Sequence, residues 1–411
     1  MASPRSSARA GSTPSLKTGA ALSLAAFMAA CATAPQPGPG PGPGPGPTAP
    51  PEAQVQTREG VTPPFMRGRR IVRVGLLLPF SLRPQDAAAL YNAAELALFD
   101  HGSQNTLLIP RDAGANEGSA AAAARALVAD GADIIIGPVL REGVAGAAQA
   151  ARGENIPVIG FSSDRSVAGN GVYLLSFQLE DEIARMIAFA SSRNIRTIAL
   201  LAPANEYGRR VDTALRAEAQ AHGVAIVQAQ LYNRSDADAA AAATAVAAGL
   251  RTAPAQAILI AESGGPLRAI GAALVRGGVD QRQVRFMGTS AWAGEAQREP
   301  TLAGGWYVAA DPAVRTDFET RYQTMFGREP TRLSSLGYDA VALASLLSRD
   351  RGAQGFERRA IENREGFAGS DGLFRFNANG AIERGLAIIE VRPTEVIVLE
   401  PAPRRFPGNG S

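Results

Sequence analysis

Groups able to do covalent chemistry are scarce in this chain. Its 411 residues include two histidines and one cysteine, and the one lysine is Lys17. His101 and His222 each stand beside a glycine where a helix is expected to end, so a cation at the negative end of the helix dipole explains them better than catalysis. H-E-x-x-H, G-x-S-x-G and the P-loop are absent. The small-residue loop Gly288-Thr-Ser-Ala-Trp-Ala-Gly294 holds a serine, but the pattern brings no histidine to it. Neither enzyme activity, nor a cofactor, nor a metal is expected.

What remains is the chemistry of recognition. The residues that follow apolar, strand-like runs are Phe80 and Ser81, Leu140 and Arg141, Ser162 and Ser163, Asn205 and Tyr207, and Glu262. Trp292 lies in the small-residue loop. Arg141 either offers a carboxylate a two-pronged fork or opens a solvated helix. Hydroxyls and acids at such positions bind ligands or cap helices. Trp292 reads as core packing or as a ligand platform.

These positions need a scaffold, and the stretch Gly131-Ala-Asp-Ile-Ile-Ile-Gly-Pro-Val-Leu-Arg141 shows which one. A β-branched triplet closed by Gly-Pro and flanked by Ala-rich helical runs reads as a buried parallel strand in a βαβ unit. In open α/β sheets, ligands sit at the carboxyl ends of strands, where helix N-termini and free backbone N–H groups converge. Strands are expected near 71–78, 106–111, 134–136 and 156–161, with helices between, and G-x-G-x-x-G is missing after the first strand, which excludes a Rossmann dinucleotide site.

From about residue 178 the alternation starts over. Helices are expected at 179–192, 206–222, 236–250 and 265–276, with strands at 197–202, 224–232, 257–261 and 284–287. Later helices fall at 314–326 and 334–348 after a strand at 304–310. Leu373 to Phe376 is expected to pair through Asn377-Ala-Asn-Gly380 with Leu386 to Val391, and Glu395 to Leu399 to add an edge strand. Two doubly wound α/β lobes with a hinged cleft follow, about 71–177 with 291–370 and about 178–290 with 371–400.

Ahead of this folded part, at 70–402, lies a leader. Arg5, Arg9 and Lys17 precede the short apolar run Ala20 to Met28, which reads as a secretory signal over 1–30. Cys31 after Ala29-Ala30 resembles a lipobox cysteine that receives a diacylglycerol, and by analogy with lipoprotein sorting Ala32 favours the outer membrane. Residues 31–69 form a linker in which Pro37 to Pro47 alternates Pro-Gly, and its reach is about 35 Å as a coil and about 100 Å in polyproline form. Charge points away from nucleic acid: the net charge is +3, arginines and acids are mixed, and no basic block occurs.

Several of these residues resemble a known fold. Arg73-Val-Gly-Leu-Leu-Leu-Pro79, the Gly137-Pro138 loop, Tyr207-Gly208 after a strand and the closing element Gly372 to Gly380 are similar to the type I periplasmic-binding fold of leucine/isoleucine/valine receptors. Receptors of that fold hold a ligand carboxylate with hydroxyls and backbone N–H groups and its ammonium with an acid from the other lobe, so the resemblance implies such roles for Ser162, Ser163 and Glu262. Within the fold, Gly137-Pro-Val-Leu-Arg141, Leu179-Glu-Asp-Glu-Ile-Ala-Arg185 and Gly337-Tyr-Asp-Ala340 resemble the LpoA-type activators of penicillin-binding proteins. The helical-repeat domain of the enterobacterial members has no counterpart, and the Pro-Gly run stands in its place.

Two functions follow from the resemblance. One is a lipid-anchored periplasmic activator of a class A penicillin-binding protein in peptidoglycan synthesis, with a narrow or plugged cleft. The other is a substrate-binding lipoprotein of an ABC importer, working with a permease and taking an amino acid or small peptide in an open cleft.

Overall fold

Apolar residues on the strands alternate between two faces, and helices cover both. β1 (Val72–Leu78) turns Val72, Val74, Leu76 and Leu78 to one core and Leu77 to another. The computed structural model describes residues 62–102 and 104–406, all within the unit Gln56–Ser411. The expected signal, Cys31 and the Pro-Gly run lie outside the described residues. The expected linker ends sooner than residue 69: Pro64–Met66 is a 3-10 turn, Met66 is buried, and Arg73 Nη2 donates to Thr62 Oγ1 at 3.1 Å.

β2 (Thr106–Asp112), β3 (Ile134–Ile136), β4 (Val158–Gly160) and β5 (Val172–Leu174) join β1 in a parallel sheet of order β2-β1-β3-β4-β5. On one face α1 (Pro84–His101) packs over Ile134 and Ile136. On the other, α2 (Glu117–Ala129) and α3 (Arg141–Ala151) pack over Ile135 and Val158. Each such side chain, fully buried, contributes about 1.5–3 kcal/mol. Gly75 lets α2 come close, because a Cβ there would stand 2.8 Å from Leu127 Cδ1.

The second layer repeats the plan. α4 (Leu179–Ser192) and α5 (Glu206–His222) cover one face, α6 (Asp236–Gly249) and α7 (Gly264–Arg276) the other. Between them lie β6 (Thr197–Pro203), β7 (Ala225–Tyr232), β8 (Ala257–Ile260), β9 (Arg285–Gly288) and β10 (Trp306–Ala309), all parallel. The chain then returns to the first layer through α8 (Pro312–Phe326) and α9 (Ser334–Ser348), which pack on α1. A small antiparallel sheet, β11 (Phe367–Gly369), β12 (Gly372–Phe376) and β13 (Ile382–Arg384), adds Phe374, Phe376 and Ile382 to the same core. Finally β14 (Ala387–Val391) and β15 (Val396–Glu400) close the second sheet, of order β15-β14-β10-β9-β8-β6-β7. Both sheets reverse their strand order, between β1 and β3 and between β6 and β8.

The late segments differ from the sequence expectation. β12 pairs with β13, not with Leu386 to Val391, because the turn sets the register: Asn377 N–H donates to Ala381 O at 2.8 Å, and Gly380 N–H to Asn377 O at 2.8 Å. This leaves β14 free to run antiparallel to β10. The lobe limits shift accordingly. Residues 291–309, expected in the first lobe, belong to the second layer, where Trp292 and Leu302 are core and β10 lies beside β9. Residues 371–384, expected in the second, belong to the first. The expected edge strand and the repeated crossing between layers are present. Among the described residues no helix is long and apolar enough to cross a membrane.

Candidate functional site

Loops at the carboxyl ends of both parallel sheets face one another across a cleft, and three adjoining cavities occupy it. The middle one, which adjoins both others, has a volume of about 470 Å³. The first layer lines it with Ser163 after β4, Phe177 after β5, and Arg332 between α8 and α9. The second layer contributes Asn205, Tyr207 and Arg210 after β6, Arg234 after β7, Glu262 and Ser263 after β8, and Ser290 after β9. A cavity of about 690 Å³ shares Phe177, Glu182, Ser290 and Arg332 with it, and one of about 800 Å³ shares Ser163, Phe177 and Arg210.

The centre of the cleft is an ion pair between the layers. Glu182, in the first turn of α4, is buried and accepts from Ser290 N–H at 2.9 Å and Ser290 Oγ at 2.5 Å. Arg332 Nη2 donates to Glu182 Oε1 at 3.3 Å and to Ser290 Oγ at 2.6 Å. The Arg332 guanidinium also lies 4.4 Å from the Phe177 ring centre, a cation–π contact that fixes its plane. Burial pushes the Glu182 carboxyl up from its usual range, and Arg332 and Ser290 oppose that shift.

A second buried acid stands nearby. Glu262 accepts from the Tyr232 hydroxyl at 3.0 Å, from Arg234 Nε at 3.0 Å and from Ser263 N–H at 3.0 Å. Burial, and then the neighbouring Glu262, push the Tyr232 hydroxyl upward, so it stays a neutral donor. Tyr207 shares a 2.9 Å bond with Thr289 Oγ1, and burial pushes its hydroxyl up to about 12. Asn205 accepts from Gly208 N–H at 3.0 Å and so caps α5 from the cavity wall.

Of the residues expected at the cleft, Ser163, Asn205, Tyr207 and Glu262 line the middle cavity. Arg141 and Ser162 border only the 800 Å³ cavity. Arg141 is engaged there by Asp164 at 2.9 Å, and Ser162 Oγ accepts from Asp164 N–H at 3.2 Å. Ser81 lines none of the three cavities; its N–H donates to Asp112 Oδ1 at 3.2 Å, which holds it against β2, and Arg83 of the same loop faces the cleft instead. Trp292 does not reach the cleft either. It is 0% exposed, its Nε1 donates to Ile260 O at 3.1 Å, and Gly288 leaves the room for its ring, since a Cβ there would meet ring atoms at 2.2 Å.

Glu182, Phe177 and Arg332 were not singled out from the sequence, and Ser290 was weighed only as a serine without a histidine. Glu180, Asp181 and Glu182 fall in the first turn of α4, where acids suit the helix dipole, and nothing local marks Arg332. Both histidines sit in last turns, His101 bonded to the Tyr338 hydroxyl at 2.9 Å and His222 beside Glu218 at 3.8 Å. Among the described residues no group of three or more His, Cys, Asp or Glu could hold a metal ion.

Comparison with known proteins fits this geometry. The profile of the family described as "Periplasmic binding protein" matches residues 71–393. The chain belongs to the periplasmic binding protein family. Its fold is similar to that of a putative branched-chain amino acid ABC transporter from Rhodospirillum rubrum, with a TM-score of 0.70 and 19% identity over 80% of this chain and 100% of that one. A solute binding protein from R. palustris in complex with benzoate gives 0.57 and 18% over 81% and 97%. The substrate binding protein LivJ from Streptococcus pneumoniae in complex with isoleucine gives 0.56 and 16% over 80% and 100%. No curated protein matches the chain. The members of this family are binding proteins, and the type I periplasmic-binding fold is common to them and this chain.

Proposed function

We propose that the protein is the solute receptor of an ABC importer, taking a small ligand between its two layers and catalysing nothing itself. The observation that carries this reading is the middle cavity, lined from both layers at the carboxyl ends of both sheets. The ligands of the similar solved structures, isoleucine and benzoate, are of a size to enter such a space. The activator reading, drawn from the resemblance to LpoA-type proteins, expects a narrow or plugged cleft, and the three cavities speak against it. A thermal-shift screen with amino acids, organic acids and small peptides tests the proposal. A ligand at a hundredfold excess over its Kd stabilises by about 2.7 kcal/mol. An empty screen, together with retention of a class A penicillin-binding protein on the immobilised chain, would reverse the choice in favour of the activator.

The family supports a periplasmic place, and we propose that Cys31 carries the lipid. An anchor in the outer membrane would set the receptor across the periplasm from a permease, a gap for which the reach of residues 32–61, about 90 Å when extended, is suited. Mass spectrometry of the protein extracted from envelopes tests the modification, and an N-terminus without an acyl chain refutes it.

A further inference from the structure

We infer that the cleft selects a small carboxylate without an ammonium group over a zwitterionic amino acid. This rests on the receptor reading and narrows it. Arg210, Arg234 and Arg332 line the middle cavity, and each is paired: with Glu180 at 2.9 Å, Glu262 at 3.0 Å and Glu182 at 3.3 Å. Of the three acids only Glu182 and Glu262 line that cavity.

The pairs are lopsided. The Glu182 and Glu262 side chains are 8% and 3% exposed, and their oxygens are taken by Ser290, Tyr232, Ser263 and the arginines themselves. The Arg332 and Arg234 side chains are 46% and 51% exposed. Of the five N–H donors on each guanidinium, those on Arg332 Nε and Nη1, Arg234 Nη1 and Arg210 Nη1 make no hydrogen bond to the described residues.

A ligand in this cavity therefore meets unused donors and spent acceptors. A carboxylate gains charge-assisted bonds from guanidinium forks whose planar geometry suits it. Arg332, already held by Phe177 and Glu182, loses little freedom in making them. An ammonium would have to compete with an arginine and a backbone N–H for either buried glutamate, in a cavity lined by three guanidinium groups and two carboxylates. Glu206 at the rim has no ion pair among the described residues, but it borders the 800 Å³ cavity and not the middle one.

Calorimetric titration of the full chain with matched probes tests the inference: 3-methylpentanoate against isoleucine, which differ by the amino group, and benzoate against benzamide, which differ by the charge. Each acid is expected to bind at least about tenfold tighter than its partner. Arg332→Gln is expected to weaken benzoate about tenfold and leave benzamide unchanged. Arg210→Gln, whose partner Glu180 is 32% exposed where Glu182 is 8% exposed, is expected to act in the same direction at less cost to the fold than Arg332→Gln. Tighter binding of isoleucine than of 3-methylpentanoate, equal binding of benzoate and benzamide, or a solute screen whose hits are all neutral or zwitterionic overturns the inference and leaves the receptor standing. A screen without any hit removes the receptor reading, and the inference with it.

Discussion

The two rims of the cleft are built on the same parallel topology and carry opposite chemistry. On the first layer, the loops after β3 and β4 satisfy themselves: Phe161 N–H donates to Pro138 O at 2.8 Å, Asp164 N–H to Ser162 Oγ at 3.2 Å, and Ser166 N–H to Asp164 Oδ1 at 2.9 Å. Gly137 is required there, with φ 92° and the Leu77 carbonyl 2.1 Å from where a Cβ would lie. On the second layer, Glu182 and Glu262 are buried, and their charges are held by groups reached across long stretches of chain. Strand order determines where a rim lies, and the residue following each strand determines what it does. The first rim keeps its charged pair, Arg141 and Asp164, in contact with water on loops that satisfy themselves, whereas the second keeps charge out of water and so has more to lose when a partner is removed.

The strongest challenge to that contrast is Arg332→Ala. It strips the guanidinium from a buried carboxylate and should lower stability by about 3 kcal/mol, less than a fully buried pair would lose because Arg332 is half exposed. The urea midpoint reads it, and Glu182→Gln in the same chain should recover most of the loss. An unchanged midpoint would mean that the cleft ion pair does not brace the layers. Glu262→Ala comes next, at about 2 kcal/mol, because the buried Tyr232 hydroxyl loses its acceptor. Asn205→Ala should cost about 1 kcal/mol, the ordinary value of a helix cap, and a much larger loss would show that the second rim is fragile beyond its buried acids.

How much of this could be read from the sequence follows from how far apart the interacting residues are. Helices with a local signal were legible to the residue, as at Leu179–Ser192 and Ser334–Ser348, since apolar spacing, joined in the first of them by acidic first-turn residues, is a relation between near neighbours. The β12 partner was misread because Leu386 to Val391 is the more apolar run, whereas a turn of five residues decides the register. At the site, Asn205 and Tyr207 were found through strand-end position. The Glu182–Arg332 contact spans 150 residues, and no periodicity encodes a contact of that separation. Trp292 shows the converse error: an aromatic in a small-residue loop resembles a platform, but Gly288 and Gly305 make room to bury it.

The finest test of the two rims is the sign of their response to pH. Asp181, at the start of α4, has its carboxyl pushed up to about 6, first by burial and against the pull of Arg165 at 2.7 Å. The folded chain then holds that proton more tightly than the unfolded chain, where an aspartate titrates near about 3.9. Between those values the native state binds more protons, so this group's contribution to stability falls as pH rises from about 4 to about 6. Asp164 on the first rim is the reverse case. The Ser166 N–H, then its hydroxyl, and further Arg141 hold it below the usual range, so its contribution is present above about pH 4 and is lost as pH falls through its lowered value. Denaturation midpoints measured from pH 3 to 7 should show the Asp181→Asn chain gaining on the wild type towards pH 6, and the Asp164→Asn chain losing to it at the same pH but converging below pH 4. If both variants shift in the same sense, the two rims do not differ in how they treat charge, and the distinction between solvated pair and buried acid collapses.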